Sequence, residues 1–178
     1  TTDATCKDCE AGFFAENVSM PACLQCNSGT SNPGSSYCED CSAGKVLDIG
    51  TNTCVSCEAG TISAVGDESC FTCLAGTYET EIRTKCAPCE EGTWSKGEGA
   101  TSSETCKPCV NGTFSGATGV DSSDKCNACP PGRRGVKQGA TSADDGCEDC
   151  SAGTFVREGG KVECEPCLLG TNFQDDVG

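Results

Sequence analysis

The sequence predicts a small disulfide-rich fold: an elongated tandem array of C-x-x-C-x-x-G-T repeats with short β-ribbons and almost no helix. Three observations predict it. Twenty of the 178 residues are cysteine, above the level that marks a disulfide scaffold. Leu, Ile, Val and Phe together number only 24, so burial of large apolar side chains cannot offset the entropy of ordering the chain. Finally, every cysteine belongs to a C-x-x-C pair, and the pairs recur at short, regular intervals.

The ten pairs start at Cys6, Cys23, Cys38, Cys54, Cys70, Cys86, Cys106, Cys126, Cys147 and Cys164. Gly stands three residues after each second cysteine, as in Gly12, Gly29, Gly60, Gly92 and Gly112, and seven of these glycines are followed by Thr. The next residue is mostly apolar: Phe14, Val46, Ile62, Tyr78, Trp94, Phe114 and Phe155. An internal repeat of this kind outranks any local assignment. It divides the chain into units 6–22, 23–37, 38–53, 54–69, 70–85, 86–105, 106–125, 126–146, 147–163 and an incomplete 164–178. No linker or charge block interrupts them, so residues 1–178 are expected to form one continuous array, cut at both ends. Units 86–105, 106–125 and 126–146 are the longest, and they share a loop signature: Gly99-Ala100-Thr101, Gly116-Ala117-Thr118 and Gly139-Ala140-Thr141.

Between glycines no stretch carries helical periodicity. Gly at the repeat position permits positive φ or close backbone approach. The Gly-Thr-apolar segment suits a turn leading into a strand. Ribbons of a few residues are unstable alone in water and require cross-links. The apolar residue after Gly-Thr is expected to lie against a disulfide as a miniature core.

Three chemistries compete for C-x-x-C. Paired C-x-x-C motifs form tetrahedral zinc sites, and several spacers here would fit. Four thiolates on one zinc leave a negative cluster that attracts basic residues, which are scarce, and the chain has no His. Cys86-Ala87-Pro88-Cys89 and Cys106-Lys107-Pro108-Cys109 look like redox pairs. A redox cysteine, however, needs a helix N-terminus to lower its thiol pKa, and the spacing leaves no room for such a domain. Structural disulfides are the favoured reading, which places the chain in an oxidising compartment.

Two pairing schemes suit the repeat. The crossed scheme joins first to first and second to second cysteines, such as Cys6 to Cys23. It would make linked and unlinked intervals alternate, whereas the units alternate in neither length nor motif. The serial scheme, which this uniformity favours, predicts Cys9–Cys23, Cys26–Cys38, Cys41–Cys54, Cys57–Cys70, Cys73–Cys86, Cys89–Cys106, Cys109–Cys126, Cys129–Cys147 and Cys150–Cys164. It leaves Cys6 and Cys167 to find partners outside the chain, as expected of a segment of a longer protein. In this scheme one disulfide step of about 5.5 Å plus three residues of at most about 3.6 Å caps the rise per unit near ~16 Å, which predicts a rod.

The formal net charge is −15. Nucleic acid binding needs basic side chains that displace counterions from phosphate, so nucleic acid is excluded as a partner. The basic trio Arg133, Arg134 and Lys137 is expected to be an exposed loop tip. No apolar run approaches the roughly 20 residues that span a bilayer, so no direct membrane insertion is expected in this segment. Asn17-Val18-Ser19 and Asn111-Gly112-Thr113 are N-glycosylation sequons. Asn52-Thr53-Cys54 and Asn127-Ala128-Cys129 match only the rare N-x-Cys form. Loop Ser and Thr could carry O-glycans. Carboxylates such as Asp144-Asp145 could hold Ca²⁺, but no ligand spacing repeats with the array, and solvated acidic loops are the preferred reading. No His base, phosphate cradle or placed carboxylate pair is present. We therefore expect no catalytic residues, no metal, no cofactor and no enzymatic activity.

The unit Cys109-Val110-Asn111-Gly112-Thr113-Phe114-Ser115, the Gly-Ala-Thr loop and the following Cys126-Asn127-Ala128-Cys129-Pro130-Pro131-Gly132 resemble the ephrin-receptor-like cysteine-rich repeat. The unit is also similar to the single-disulfide module of tumour necrosis factor receptor ectodomains, which closes its loop serially, and to tandem C-x-x-C surface antigens of protists. The resemblance spans the whole chain and implies an extracellular or cell-surface protein of the secretory pathway. Two roles follow as expectations. One is a structural or adhesive glycoprotein, a disulfide-stapled rod in a surface coat, stalk or fibre whose partners are copies of itself or other surface proteins. The other is the ligand-binding ectodomain of a receptor.

Overall fold

The structure is a computed structural model that describes residues 7–17 and 20–168. Nine disulfides run serially, each joining the second cysteine of one pair to the first of the next: Cys9–Cys23, Cys26–Cys38, Cys41–Cys54, Cys57–Cys70, Cys73–Cys86, Cys89–Cys106, Cys109–Cys126, Cys129–Cys147 and Cys150–Cys164. The described chain forms two compact units. One comprises the residues through Cys73 together with Glu79–Cys86, the other Leu74–Tyr78 and the residues from Ala87 onward.

Each staple is accompanied by one two-stranded ribbon, whose first strand lies inside the stapled loop and whose second strand lies at or next to the closing cysteine. In the first compact unit Phe13–Phe14 pairs with Leu24–Gln25, Gly29–Thr30 with Glu39–Asp40, Lys45–Asp48 with Thr53–Ser56, and Thr61–Ile62 with Phe71–Thr72. In the second, Thr93–Trp94 pairs with Lys107–Pro108, Thr113–Phe114 with Asn127–Ala128, Arg133–Gly135 with Cys147–Asp149, and Thr154–Phe155 with Glu165–Pro166. A further ribbon joins Thr77–Glu79 to Cys86–Pro88. The second cysteine then closes the ribbon from its far end. Its N–H donates to the carbonyl of the preceding repeat glycine, as from Cys57 to Gly44, Cys73 to Gly60 and Cys109 to Gly92 at 2.8–3.0 Å.

The recurrence of Gly-Thr now has a physical reason. Gly60, Gly76, Gly92, Gly112 and Gly153 have φ between 76° and 89° and occupy the third position of a four-residue turn, where a type II turn requires positive φ. The Thr that follows closes that turn twice. Its N–H and its Oγ1 both donate to the carbonyl just past the second cysteine, Thr61 to Glu58 and Thr93 to Glu90 among them. Gly29 departs from this pattern: its φ is not positive, it lies opposite Asp40 in the ribbon, and Cys41 donates to Ser28 instead. In that unit Ser28 takes the glycine's place and the chain runs one residue out of step, which identical cysteine-to-glycine spacing conceals.

The buried position also lies one residue further on than the sequence indicates. Phe14, Val46, Ile62, Tyr78, Trp94, Phe114 and Phe155 are only half-buried. They face across the ribbon to the residue after the next first cysteine: Phe14 to Leu24, Ile62 to Phe71, Trp94 to Lys107. Successive strand residues point to opposite faces, so the next side chain turns inward. Leu47, Ser63, Glu79, Ser95, Ser115 and Val156 are all buried there, with Ser31 at the same place in the out-of-step unit. Together with the second cysteines, of which Cys73, Cys89, Cys109 and Cys129 are fully buried, they form a core of sulfur and small side chains.

Among the described residues helix is confined to single turns at Ser103–Thr105, Ser123–Lys125 and Ala143–Gly146. All three lie in the long units just before a first cysteine, and they absorb the extra residues. Ser122 and Ser142 accept from the N–H of Asp124 and Asp145, capping their turns. The shared loop signature needs one correction. The residues that bridge to the preceding strand are Ala100, Val120 and Ala140, opposite Tyr78, Trp94 and Phe114. The counterpart of Gly99-Ala100 is therefore Gly119-Val120, whereas Ala117 is exposed.

Candidate functional site

What recurs is the joint between consecutive stapled loops, and chemical variation is concentrated there. A complete joint carries two backbone bonds. The repeat glycine donates its N–H to the carbonyl of the buried residue in the next loop, and a loop glycine of that next loop donates back to the carbonyl of the second cysteine. The joint at Cys9 has Gly12 to Ser31 and Gly34 to Cys9, and that at Cys41 has Gly44 to Ser63 and Gly66 to Cys41. At Cys89 the donors are Gly92 to Ser115 and Gly119 to Cys89, and at Cys129 they are Gly132 to Val156 and Gly160 to Cys129. Two of the inward serines add a third bond, Ser31 Oγ to Phe13 O at 2.7 Å and Ser63 Oγ to Lys45 O at 3.0 Å.

The joint at Cys57 is made differently. Residues 77–85, between Gly76 and the next cysteine, contain no glycine, and side chains supply what the backbone supplies elsewhere. The Glu79 carboxylate accepts from the N–H of Gly60. The Arg83 guanidinium donates to the carbonyl of Cys57, and its Nε lies 3.6 Å from Glu79 Oε1. Gly60, Glu79, Arg83 and Cys57 thus close a ring around the turn at residues 57–60. Sequence reasoning missed this pair; the signal for it was a unit without loop glycine that carries acid and base four residues apart.

Two of the basic trio are not at a loop tip, whereas Lys137 is exposed in the loop that follows them. Arg133 and Arg134 lie in a ribbon strand, in the places that Thr and the apolar residue fill in other units. Arg133 donates to the carbonyl of Cys147 and pairs with Asp149. Arg134 pairs with Glu148 directly across the ribbon. Lys137 pairs with Asp145. The two arginine pairs are cross-strand ion pairs, which is why two arginines are tolerated where strand pairing dominates.

The acidity of Asp145 is shifted. Lys137 Nζ donates to it at 2.6 Å, the N–H of Thr141 adds a bond at 3.2 Å, and both hold the carboxyl below its ordinary value of 3.8. A depressed carboxyl contributes stability that is complete above the unfolded value and is lost as pH falls through the folded one. Titration followed by NMR at the Asp145 carboxyl carbon is expected to give a midpoint below 3.8, moving back toward that value in Lys137→Ala. An unmoved midpoint would show that Lys137 does not set it.

Of the sequon residues, Asn17 is exposed, while Val18 and Ser19 lie outside the described residues. Asn111 is exposed. Its partner Thr113 donates its hydroxyl to Val110 O at 2.8 Å, so the folded turn occupies the group that defines the sequon. Both N-x-Cys sequences end in bonded cysteines, Cys54 and Cys129, and the Asn52 side chain is packed over Gly12. Cys167 is half-buried and carries no disulfide; Cys6 lies outside the described residues. Among the described residues no three His, Cys, Asp or Glu side chains gather as a metal site, and no helix is long and apolar enough to cross a membrane.

Serial disulfides, one ribbon per staple and a joint repeated along the chain define a cysteine-rich repeat protein. Residues 60–106 and again 100–146 match the family model described as tyrosine-protein kinase ephrin type A/B receptor-like. Over that stretch the chain carries ephrin-receptor-like cysteine-rich repeats, which are non-catalytic ectodomain modules. No curated protein matches the chain.

Proposed function

We propose that this chain is an extracellular structural or adhesive glycoprotein segment, a disulfide-stapled rod in a surface coat, stalk or fibre that contacts copies of itself or other surface proteins. One observation carries the reading: the same staple and ribbon recur along the described chain, with a joint of the same kind between successive loops. Cα–Cα distances across the staples are 5.5–6.0 Å, so each is a covalent shortcut that passes load around its loop. N-glycans at Asn17 and Asn111, O-glycans on loop Ser and Thr, and the excess of carboxylates would keep the surface hydrated. Nine disulfides suit the oxidising environment outside the cell. The second reading, a ligand-binding receptor ectodomain, is favoured by the receptor-like repeats at 60–146.

The deciding experiment is photo-crosslinking of the glycosylated chain on the cell that makes it. Cross-links between identical chains support the coat or fibre; cross-links only to a different protein support the receptor and overturn the first reading. Small-angle scattering tests the rod separately. A radius of gyration near about 16 Å, the value for a compact chain of this length, would overturn it. Peptide mapping of the same material is expected to show glycan on Asn111, which Asn111→Gln removes.

A further inference from the structure

We propose that the joint at Cys57 is a latch, at which the array opens locally while every disulfide stays intact. At Cys9, Cys41, Cys89 and Cys129 the joints are held by neutral backbone groups already fixed by the ribbons. Here Glu79 and Arg83 take over both roles, accepting from Gly60 N–H and donating to Cys57 O. The backbone joints order at most a serine hydroxyl, whereas this one immobilises two of the most rotamer-rich side chains in the chain. Opening also returns a carboxylate and a guanidinium to water. Glu79 is 7% exposed when the latch is closed, so its recovered hydration is large.

Backbone strain acts in the same direction. Arg83 has φ +52°, the left-handed region that a non-glycine side chain rarely adopts. Its carbonyl accepts from Ser63 N–H at 3.2 Å across the joint, while its own N–H donates to Thr80 O at 2.8 Å within the turn, so opening releases the first of these ties. Beyond that one backbone bond, the side chains of the flanking loop add little, since Glu81, Ile82 and Lys85 are exposed. The staples Cys57–Cys70 and Cys73–Cys86 stay tied by the backbone of residues 70–73, so opening bends the array without severing it. The charges make the latch responsive to ionic strength, which screens ion pairs and leaves neutral joints unaffected. This behaviour is independent of whether the array serves a coat or a receptor.

Native-state hydrogen exchange tests it on the unsubstituted chain. Gly60 N–H is expected to exchange at least roughly tenfold faster than Gly44 and Gly92 N–H, its backbone-bonded counterparts, and faster still as salt rises. Equal rates at the three glycines would overturn the latch, as would a salt effect shared by all three. Glu79→Ala is expected to raise exchange at Gly60, and trypsin cleavage after Arg83, by a further tenfold or so, with Gly44 and Gly92 unchanged. A rise of the same size along the whole chain would mean that Glu79 supports general stability and not a local opening. If that variant does not fold, Glu79→Gln serves in its place: it keeps an acceptor for Gly60 but loses the charge facing Arg83, and no change in exchange would sink the proposal.

Discussion

Reduction of the disulfides abolishes every ribbon at neutral pH and ambient temperature, whereas heating with the bridges intact leaves most of them in place. The ribbons are two to four residues long, and hairpins of that size do not persist alone in water. The buried set consists mainly of cysteine, serine and alanine, so little apolar area is withdrawn from solvent. Each staple closes a loop with a sequence separation of 12–18, for which the chain-entropy description gives about 3 kcal/mol. NMR amide dispersion in reductant is the direct measurement. Retained dispersion would mean that the joints hold without sulfur, contrary to the composition.

The same reasoning ranks single staples. Cys129 and Cys147 are both buried, at 0% and 4% exposure, whereas Cys9–Cys23 has one exposed end. Replacing both members of the inner pair by Ala removes packing as well as cross-link, and is expected to cost about 2 kcal/mol more than the same change at Cys9–Cys23. Units contact mainly their neighbours, so the damage stays local to the adjoining joints. Exchange at Gly160 N–H, bonded to Cys129 O, reports it.

Much of this was legible in the sequence, because the repeat constrains covalent and backbone geometry together. Ten equal C-x-x-C-x-x-G spacings with no alternation point to one linked interval per unit, and that is how the structure is joined. Gly-Thr was legible as a turn, but the role of the Thr hydroxyl as its second tie was not. The inward position escaped because it is filled by Ser63, Ser95 and Ser115, which composition marks as surface. They are buried because two backbones meet there and each Ser carbonyl is already bonded. Gly29 shows the limit of spacing: the cysteine-to-glycine interval is the same, but the turn is closed one residue early. The Glu79–Arg83 ring is legible only once the missing loop glycine is seen against complete joints.

Gly76→Ala, Gly92→Ala and Gly112→Ala are expected to be among the most damaging single substitutions in the chain, at about 3 kcal/mol or more each. Two costs combine at these sites. Each glycine has φ between 76° and 89°, which an L side chain adopts at roughly 1 kcal/mol. In addition, a Cβ on Gly76, Gly92 or Gly112 would overlap the carbonyl oxygen of Gly119, Gly139 or Gly160, which lies two units further along the array. That carbonyl cannot recede, because the N–H of the same residue is bonded to the second cysteine of the intervening unit: Gly119 to Cys89, Gly139 to Cys109, Gly160 to Cys129. Two internal controls separate the costs. Gly153 has φ +83° but no described residue within 4 Å of the added carbon, so Gly153→Ala should show only the conformational cost of about 1 kcal/mol. Gly97 has neither positive φ nor a neighbour within 4 Å, so Gly97→Ala should be neutral within about 0.5 kcal/mol. Opening free energies from exchange at Cys89 N–H, bonded to Gly76 O at 2.8 Å, measure the first of these, and exchange at Cys167 N–H, bonded to Gly153 O at 2.9 Å, measures the control. Equal losses at Gly76 and Gly153 would show that φ alone sets the cost. Contact between alternate units would then contribute nothing, and the array would behave as a strictly nearest-neighbour chain.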